Sequence, residues 1–437
     1  MSEWKKVIIG DICKIVKGTT GIASAEPGEY PLVVTAEERK TCSTYQFDCE
    51  AVCIPLVSSS GHGKKSLKNV HYQSGKFALG TILCAVIPNN PQELDARYLH
   101  QYLQFYKDII LVPLMKGAVN VSLSMKDILV VEFPLPPIER QRELSNLFVS
   151  LQEKQKELSA EYEKQTEYAK LLRQNILQQA IEGKLTAEWR KQNPVQKGNP
   201  DYDAEVLFEQ IQKERNNEKK QKKLSPITNE EKPFEIPESW KWVRLGEISL
   251  LITDGKHGDS VNQNNSGYFF LSAKDIQNGE LIYTNARQIT EKDFHETHRR
   301  TNLEPGDICI VNTGATVGKL AIAPDNPKTY KTTFQKSVAV VKLVKNLVSN
   351  IYIKFFLLFD VPKLMATSWG SAINNLLLSD MKKEPIPLPP FAEQKEIVIQ
   401  VEKHLKTVAE LEKQITEREQ LSKQLMQSIL KDAFEEN

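Results

Sequence analysis

The stretch Thr313 to Leu320, TGATVGKL, has the composition of a phosphate-binding glycine loop but fails on spacing. Gly314 and Gly318 stand one residue too close, and Leu320 fills the place where a hydroxyl would hold Mg²⁺. In HETH, His295 and His298 are three apart where a metalloprotease helix sets its histidines four apart. Cys42, Cys49 and Cys53 with His62 match no close-paired zinc spacing, and they read as small core side chains. No Asn-Pro-Pro-aromatic methyltransferase motif and no helicase or nuclease signature is present. These failures point to a chain without a catalytic site or metal of its own.

Two polar, locally basic regions remain. The first is SSSGHGKKSLKNVHYQSGKF, Ser58 to Phe77, which sets Ser58, Ser60, His62, Lys64, Lys65 and Lys68 close together, with His71 and Lys76 beyond. Glycine lets a backbone approach phosphate, lysine supplies counter-charge, and Ser, Asn and His can meet base edges. The second region is scattered over Lys256 and His257 in TDGKHGDS, Lys274, Arg299 and Arg300 after HETH, Thr313 and Lys319 at the ends of TGATVGK, and Gln335 and Lys336 in TTFQKS. Lys64, Lys65 and Lys68 are expected to contact phosphates. Gln335 suits bidentate contact with adenine, and His257, Lys274 and Thr313 are expected to touch or position bases. Singly, each is an ordinary surface loop; their occurrence in both halves of a repeated frame gives the nucleic-acid reading its weight.

That frame is written twice. FPLPPIERQREL, Phe133 to Leu144, recurs as IPLPPFAEQKEI, Ile386 to Ile397; the same shift of 253 carries Gly117 to Gly370, Gln141 to Gln394 and QNILQQAIE to QSILKDAFE. The openings also match, WKKVIIGDI at Trp4 and WKWVRLGEI at Trp240, but at a shift of 236, so the second lobe is longer by 17 residues. Short apolar runs such as YPLVV, TILCAVI, YFFLS, GDICIVNT and SVAVVKLV predict strands, and Ala96 to Lys107 predicts a helix, giving an α/β (α+β) lobe in each half.

Each lobe leads into a long helix that starts after paired prolines, Pro136–Pro137 and Pro389–Pro390. Residues spaced alternately by four and three mark a coiled-coil seam. In the first helix it runs through Leu144, Phe148, Leu151, Gln155, Leu158, Tyr162, Gln165, Ala169, Leu172 and Ile176. In the second it runs through Ile397, Val401, His404, Val408, Leu411, Ile415, Arg418, Ser422, Leu425 and Ile429. A pseudo-two-fold relation makes the pair antiparallel, with Leu158 facing Ile415, Tyr162 facing Leu411, Gln155 facing Arg418 and Ala169 facing His404. The parallel register would set His404 against Leu151 and Gln155 against Val408, apolar against polar, which costs stability. The expected order is a lobe at 1–137, a long helix at 138–186, a helical and Pro-rich linker at 187–238, a lobe at 239–390 and a long helix at 391–437. The linker's basic run, Lys219, Lys220, Lys222 and Lys223, reads as a solvated helix end.

Composition sets outer bounds. The chain has 437 residues and a formal charge of +1, so a polyanion surface must be a local patch offset elsewhere. Six cysteines without a framework suit a reducing, cytoplasmic setting, and neither a signal peptide nor a membrane span is expected.

The order of lobe, PLPP, EQ, long helix, ILxxA, tether and second lobe resembles the DNA-specificity subunits of type I restriction–modification systems. IPLVSSSGHGKKSLKNVHY, GTILCAVIP and GDICIVNTGATVGK are similar to their target-recognition domains. The resemblance implies two recognition domains separated by an antiparallel coiled coil, each reading one half of a split double-stranded DNA target. It implies docking of methyltransferase subunits that carry S-adenosylmethionine, and of restriction subunits that use ATP and Mg²⁺, with no cofactor in this chain. Helices of about 45 residues would then be rulers of roughly 68 Å, setting the gap between half-sites. The competing expectation is a coiled-coil scaffold with two protein- or carbohydrate-binding lobes, for which the near-neutral charge is the best support.

Overall fold

The computed structural model describes residues 4–60, 63–218, 223–367 and 375–435, without the side chains of 217–218 and 362–367. It divides into two compact units, residues 1–164 with 415–437, and residues 165–414, so both long helices contribute to both units.

In the first unit, strand Lys5–Ile8 pairs antiparallel with Glu132–Leu135, closing the lobe where the chain enters and leaves it. A four-stranded antiparallel sheet follows the order Cys13–Lys17, Leu83–Pro88, Ala51–Pro55 and His71–Gln73. A second sheet sets Tyr30–Val33 between Lys40–Cys42 and Lys76–Leu79, with Phe47–Asp48 at its edge. The central strands Ala51–Pro55 and Leu83–Pro88 are apolar on both faces, as strands covered on two sides must be.

The second unit repeats this plan. Strand Lys241–Arg244 pairs antiparallel with Pro385–Leu388, and the pair Lys6–Pro134 of the first lobe recurs as Trp242–Pro387. The four-stranded sheet runs Ser249–Asp254, Val338–Leu343, Ile308–Val311 and Leu320–Ile322, again antiparallel. The parallel pairing of Tyr30–Val33 with Lys76–Leu79 recurs as Phe269–Leu271 with Thr332–Phe334, and the helix Glu291–Thr301 is added.

The repeated sequence marks a repeated joint. Gln141 is fully buried; its Oε1 accepts from the Asp95 amide at 2.8 Å, and its Nε2 donates to the Glu93 and Pro136 carbonyls. Gln394, equally buried, accepts from the Ser349 amide at 2.8 Å and donates to the Pro389 carbonyl. Asp95 and Ser349 in turn cap the helices Ala96–Ile110 and Asn350–Thr367, accepting from the Tyr98 and Tyr352 amides. Those tyrosines donate from their hydroxyls to the Pro134 and Pro387 carbonyls. A single glutamine thus ties the start of each long helix to the capped helix of its lobe, and satisfies groups whose burial would otherwise be costly.

The long helices span Ile138–Ile181 and Phe391–Glu435. Gly183, at φ +71°, ends the first, with the Lys184 amide returning to the Gln179 carbonyl. Within the second unit, Ile176, Leu177, Ala180 and Ile181 share a core with Ile397, Val401 and Val408, and Arg173 forks onto Glu412 at 2.6 and 2.9 Å. Within the first, Leu144 and Phe148 share a core with Phe434. The end of one helix meets the start of the other in each unit, which is the antiparallel sense.

The seam differs from the expected one in register and phase. Arg173 takes Glu412 where the expected register placed Gln400, and the Tyr162 hydroxyl donates to the Arg418 carbonyl, not toward Leu411. Leu172, Leu411 and Leu425 are exposed at 43%, 43% and 61%, and His404 and Arg418 are exposed too. On the second helix the shielded positions after Val401 include Leu405, Val408, Glu412, Ile415, Glu419, Ser422, Met426 and Ile429. Two heptad phases share every second position. Apolar side chains at Leu425 and Met426 serve either one, so the pattern alone is degenerate, and packing selects the phase. Leu144, Ile397, Val401 and Val408 are buried; Leu151, Leu158, Tyr162 and Ile415 are half-buried.

Candidate nucleic-acid interface

In the first lobe the polar stretch forms the loop between strands Ala51–Pro55 and His71–Gln73. Its serines are spent on the loop itself. The Ser58 hydroxyl donates to the Lys64 carbonyl at 2.6 Å and accepts from the Ser60 and Ser66 amides. Ser59 accepts from the Lys68 amide at 2.9 Å, and the Ser60 and Ser66 hydroxyls bond at 2.8 Å. Such side-chain bonds give a loop fixed shape without a sheet ladder. Lys64, Lys65 and Lys68 are exposed on it; Lys65 reaches the Pro113 carbonyl at 3.4 Å. His62 lies outside the described residues.

His71 is buried and bonds through Nδ1 to the Arg39 guanidinium at 3.2 Å. Burial and the Arg39 charge push it down to about 4, so it is a neutral structural acceptor at neutral pH. Cys53 lies within an apolar cluster with Phe47, Phe77 and Leu83, and burial pushes its thiol up, well above the ordinary range. Cys42 is buried in a second apolar cluster with Leu32.

The second lobe brings Lys256, His257, Arg300, Gln335 and Lys336 together. Lys256 bridges Gln335 through the backbone, and the Lys336 amide donates to the Lys256 carbonyl. Asp254, nearly buried, accepts from His257 Nε2 at 2.8 Å and pairs with the Arg300 guanidinium. Lys256 stands 3.8 Å from Asp293. Lys256, His257 and Arg300 are therefore held by carboxylates, Asp293 and Asp254, that sequence reasoning did not single out. Arg299 is exposed beside the same helix turn. Thr313 donates to Asn375 Oδ1 at 3.0 Å. Lys274 and Lys319 are set apart, on a different cleft.

The TGATVGK loop joins antiparallel strands Ile308–Val311 and Leu320–Ile322 in a hairpin. No helix follows to aim its N-terminus at a phosphate, which removes the physical basis of a nucleotide loop. On helix Glu291–Thr301, His298 stacks on Phe294 and bonds the Thr332 carbonyl, while His295 faces Glu291. Among the described residues, Lys223 of the linker run is exposed; Lys219, Lys220 and Lys222 lie outside them. No helix among the described residues is long and apolar enough to cross a membrane.

Two lobes of one plan, each closed by its own strand pair and joined to a long helix, define a duplicated recognition-domain architecture. The chain belongs to the family of the type I restriction modification DNA specificity domain, whose profile matches residues 1–168 and again 237–419. It is 24% identical over 460 residues to the type I restriction enzyme EcoDI specificity subunit of Escherichia coli, covering 99% of this chain and 88% of that one. It is also 24% identical to the putative MjaX specificity subunit of Methanocaldococcus jannaschii, over 84% of this chain and 75% of the other. The fold is similar to that of the HsdS subunit of Thermoanaerobacter tengcongensis, with TM-score 0.57 and 18% identity over 99% and 97% of the two chains. A chain from a study of assembly and conformational transition in a type I R-M system gives TM-score 0.66 at 18% identity, over 99% and 98%. This is a specificity subunit by class, and such subunits are non-catalytic. Family membership leaves the protein- or carbohydrate-binding scaffold without support.

Proposed function

We propose that the chain directs a type I restriction–modification complex to a split DNA target, each lobe reading one half-site. One observation carries this reading. The family profile matches the chain twice, and the two matched lobes share the glutamine, cap and tyrosine bonds of the joint while differing in the loops that face solvent. A common frame with dissimilar readers is what an asymmetric, two-part sequence requires, because base-edge contacts set specificity and phosphate contacts set position.

Methyltransferase subunits would dock on the long helices. Exposed apolar side chains there support this: Tyr168, Leu171 and Leu172 on one helix turn in the second unit, and Leu421 and Leu425 in the first. S-adenosylmethionine, ATP and Mg²⁺ would belong to the methyltransferase and restriction subunits. The test is methylome sequencing of a host carrying this chain with its methyltransferase. Methylation at a two-part motif with an unread gap is the expected result; methylation confined to one uninterrupted motif would overturn the reading.

A further inference from the structure

A cleft of about 920 Å³ opens in the second lobe, away from the Asp254 cluster. Its walls are the turn Ala273–Gly279, the loop ending at Lys319 and the helix Asn350–Thr367. Each wall contributes one ammonium group: Lys274, Lys319 and Lys354. Among the described residues, no carboxylate lines the cleft. None of the three side chains makes an ion pair or hydrogen bond among the described residues.

The contrast within the lobe is informative. Lys342 is paired with Asp307, Lys345 with Glu304, Arg287 with Asp259 and Arg300 with Asp254. Against those four pairs, three lysines meet in one cleft without a counter-charge. Like charges in one concavity repel, and an anion entering between them relieves that repulsion. The backbone is also prepared for close approach. Asn278 and Gly279, at φ +51° and +80°, form the two-residue turn between short strands Ile276–Gln277 and Glu280–Leu281. The nearest atom to a Cβ built on Gly279 is Lys354 Nζ, at 3.6 Å, so bare backbone stands beside an ammonium. Gln277 and Thr316 add polar groups to the lining.

We propose that this cleft is a phosphate-binding site formed by Lys274, Lys319 and Lys354. The proposal rests on the DNA reading for its source, the phosphodiester backbone of the target duplex; a free nucleotide would offer the same chemistry. Sequence reasoning reached two of its lysines as separate loop residues, but Lys354 lies on a helix and carries no local signal.

The test titrates the full chain with a fluorescein-labelled duplex of arbitrary sequence at several NaCl concentrations. The triple variant Lys274→Gln/Lys319→Gln/Lys354→Gln is expected to bind roughly tenfold or more weakly at low salt. Its slope of log affinity on log salt should be shallower by about one for each phosphate lost. A triple Lys→Arg variant should keep both, which separates charge from misfolding. Lys191→Gln/Lys213→Gln/Lys403→Gln removes the same net charge elsewhere and should change little. Wild-type behaviour of the glutamine variant, or an equal loss in the control, overturns the site. Failure of the wild-type chain to bind any duplex would instead refute the DNA reading, and the cleft is then judged with dAMP by ³¹P line broadening. Broadening by wild type and not by the glutamine variant sustains a phosphate site filled by a free nucleotide; no broadening by either overturns it.

Discussion

In the first lobe Lys64 and Lys68 stand exposed on a loop held together by serine hydroxyls, whereas in the second Lys256 and Arg300 lean on Asp293 and Asp254. Beneath these dissimilar surfaces the two lobes hold the same joint: a buried glutamine, a capped helix and a tyrosine hydroxyl on a proline carbonyl. The difference teaches which parts of the fold are constrained. A long helix must leave its lobe at a fixed angle, and few side chains can satisfy two or three buried backbone groups at once; a loop in solvent has many solutions.

The largest effects should come where the last turn of a helix completes a lobe. Phe434 fills an aromatic cluster of Tyr98, Tyr102, Phe105 and Tyr106, and Ile181 lies in the core of the second unit. Phe434→Ala should destabilise the first unit by about 3–5 kcal/mol, and Ile181→Ala the second by about 2–5 kcal/mol. Hydrogen exchange should show lost protection confined to the unit that carries the change. Loss in both units alike would mean that they do not unfold separately.

The joint should respond next. Gln141→Ala and Gln394→Ala each leave a buried amide and at least one carbonyl unpaired, a cost of about 2–3 kcal/mol. Denaturant melts should give nearly equal losses if the two joints are equivalent. A much smaller loss at Gln394, which has one fewer carbonyl to satisfy, would sharpen the comparison.

Acid should weaken the first lobe through His71. Its folded value, about 4, lies below the ordinary 6.5, so the unfolded state binds more protons between those values. The stability is therefore full above about pH 6.5, falls as pH drops toward about 4, and levels below that. His71→Gln should flatten that part of the pH–stability curve measured by urea unfolding. An unchanged curve would show that His71 is not its source.

The smallest effects belong to single surface charges. Lys64→Gln should weaken binding to duplexes of all sequences by less than tenfold and reduce the salt slope by about one. Lys256→Gln should reduce it less, because Asp293 already offsets that charge. Equal changes would erase the distinction between an open reader and a self-paired one.

Legibility followed periodicity and repetition. The proline-started helices, the five apolar strand runs and the twofold frame all show in the sequence because each rests on local spacing. Gln141 and Gln394 were visible as a matched pair, but their role was not, since their partners at Asp95 and Ser349 lie some 45 residues earlier. The seam phase was misread at Leu172 and Leu411, where the charged pair Arg173 and Glu412 takes the facing positions, and at Leu425, beside the shielded Met426. The serines of the first loop bond their own loop, a role that their spacing did not signal. Which acids meet Lys256 and Arg300 left no local mark.

The sequence by itself determined that there are two lobes of one ancestry, where each long helix begins, and where five of the strands run. Those features depend on residues near one another in the chain, where turn chemistry and hydrophobic spacing act directly. Only the tertiary structure decided the register of the helices, the pairing of charges in the second lobe and the meeting of Lys274, Lys319 and Lys354. Each of these joins residues distant in sequence, and their energies depend on distances that no spacing rule encodes.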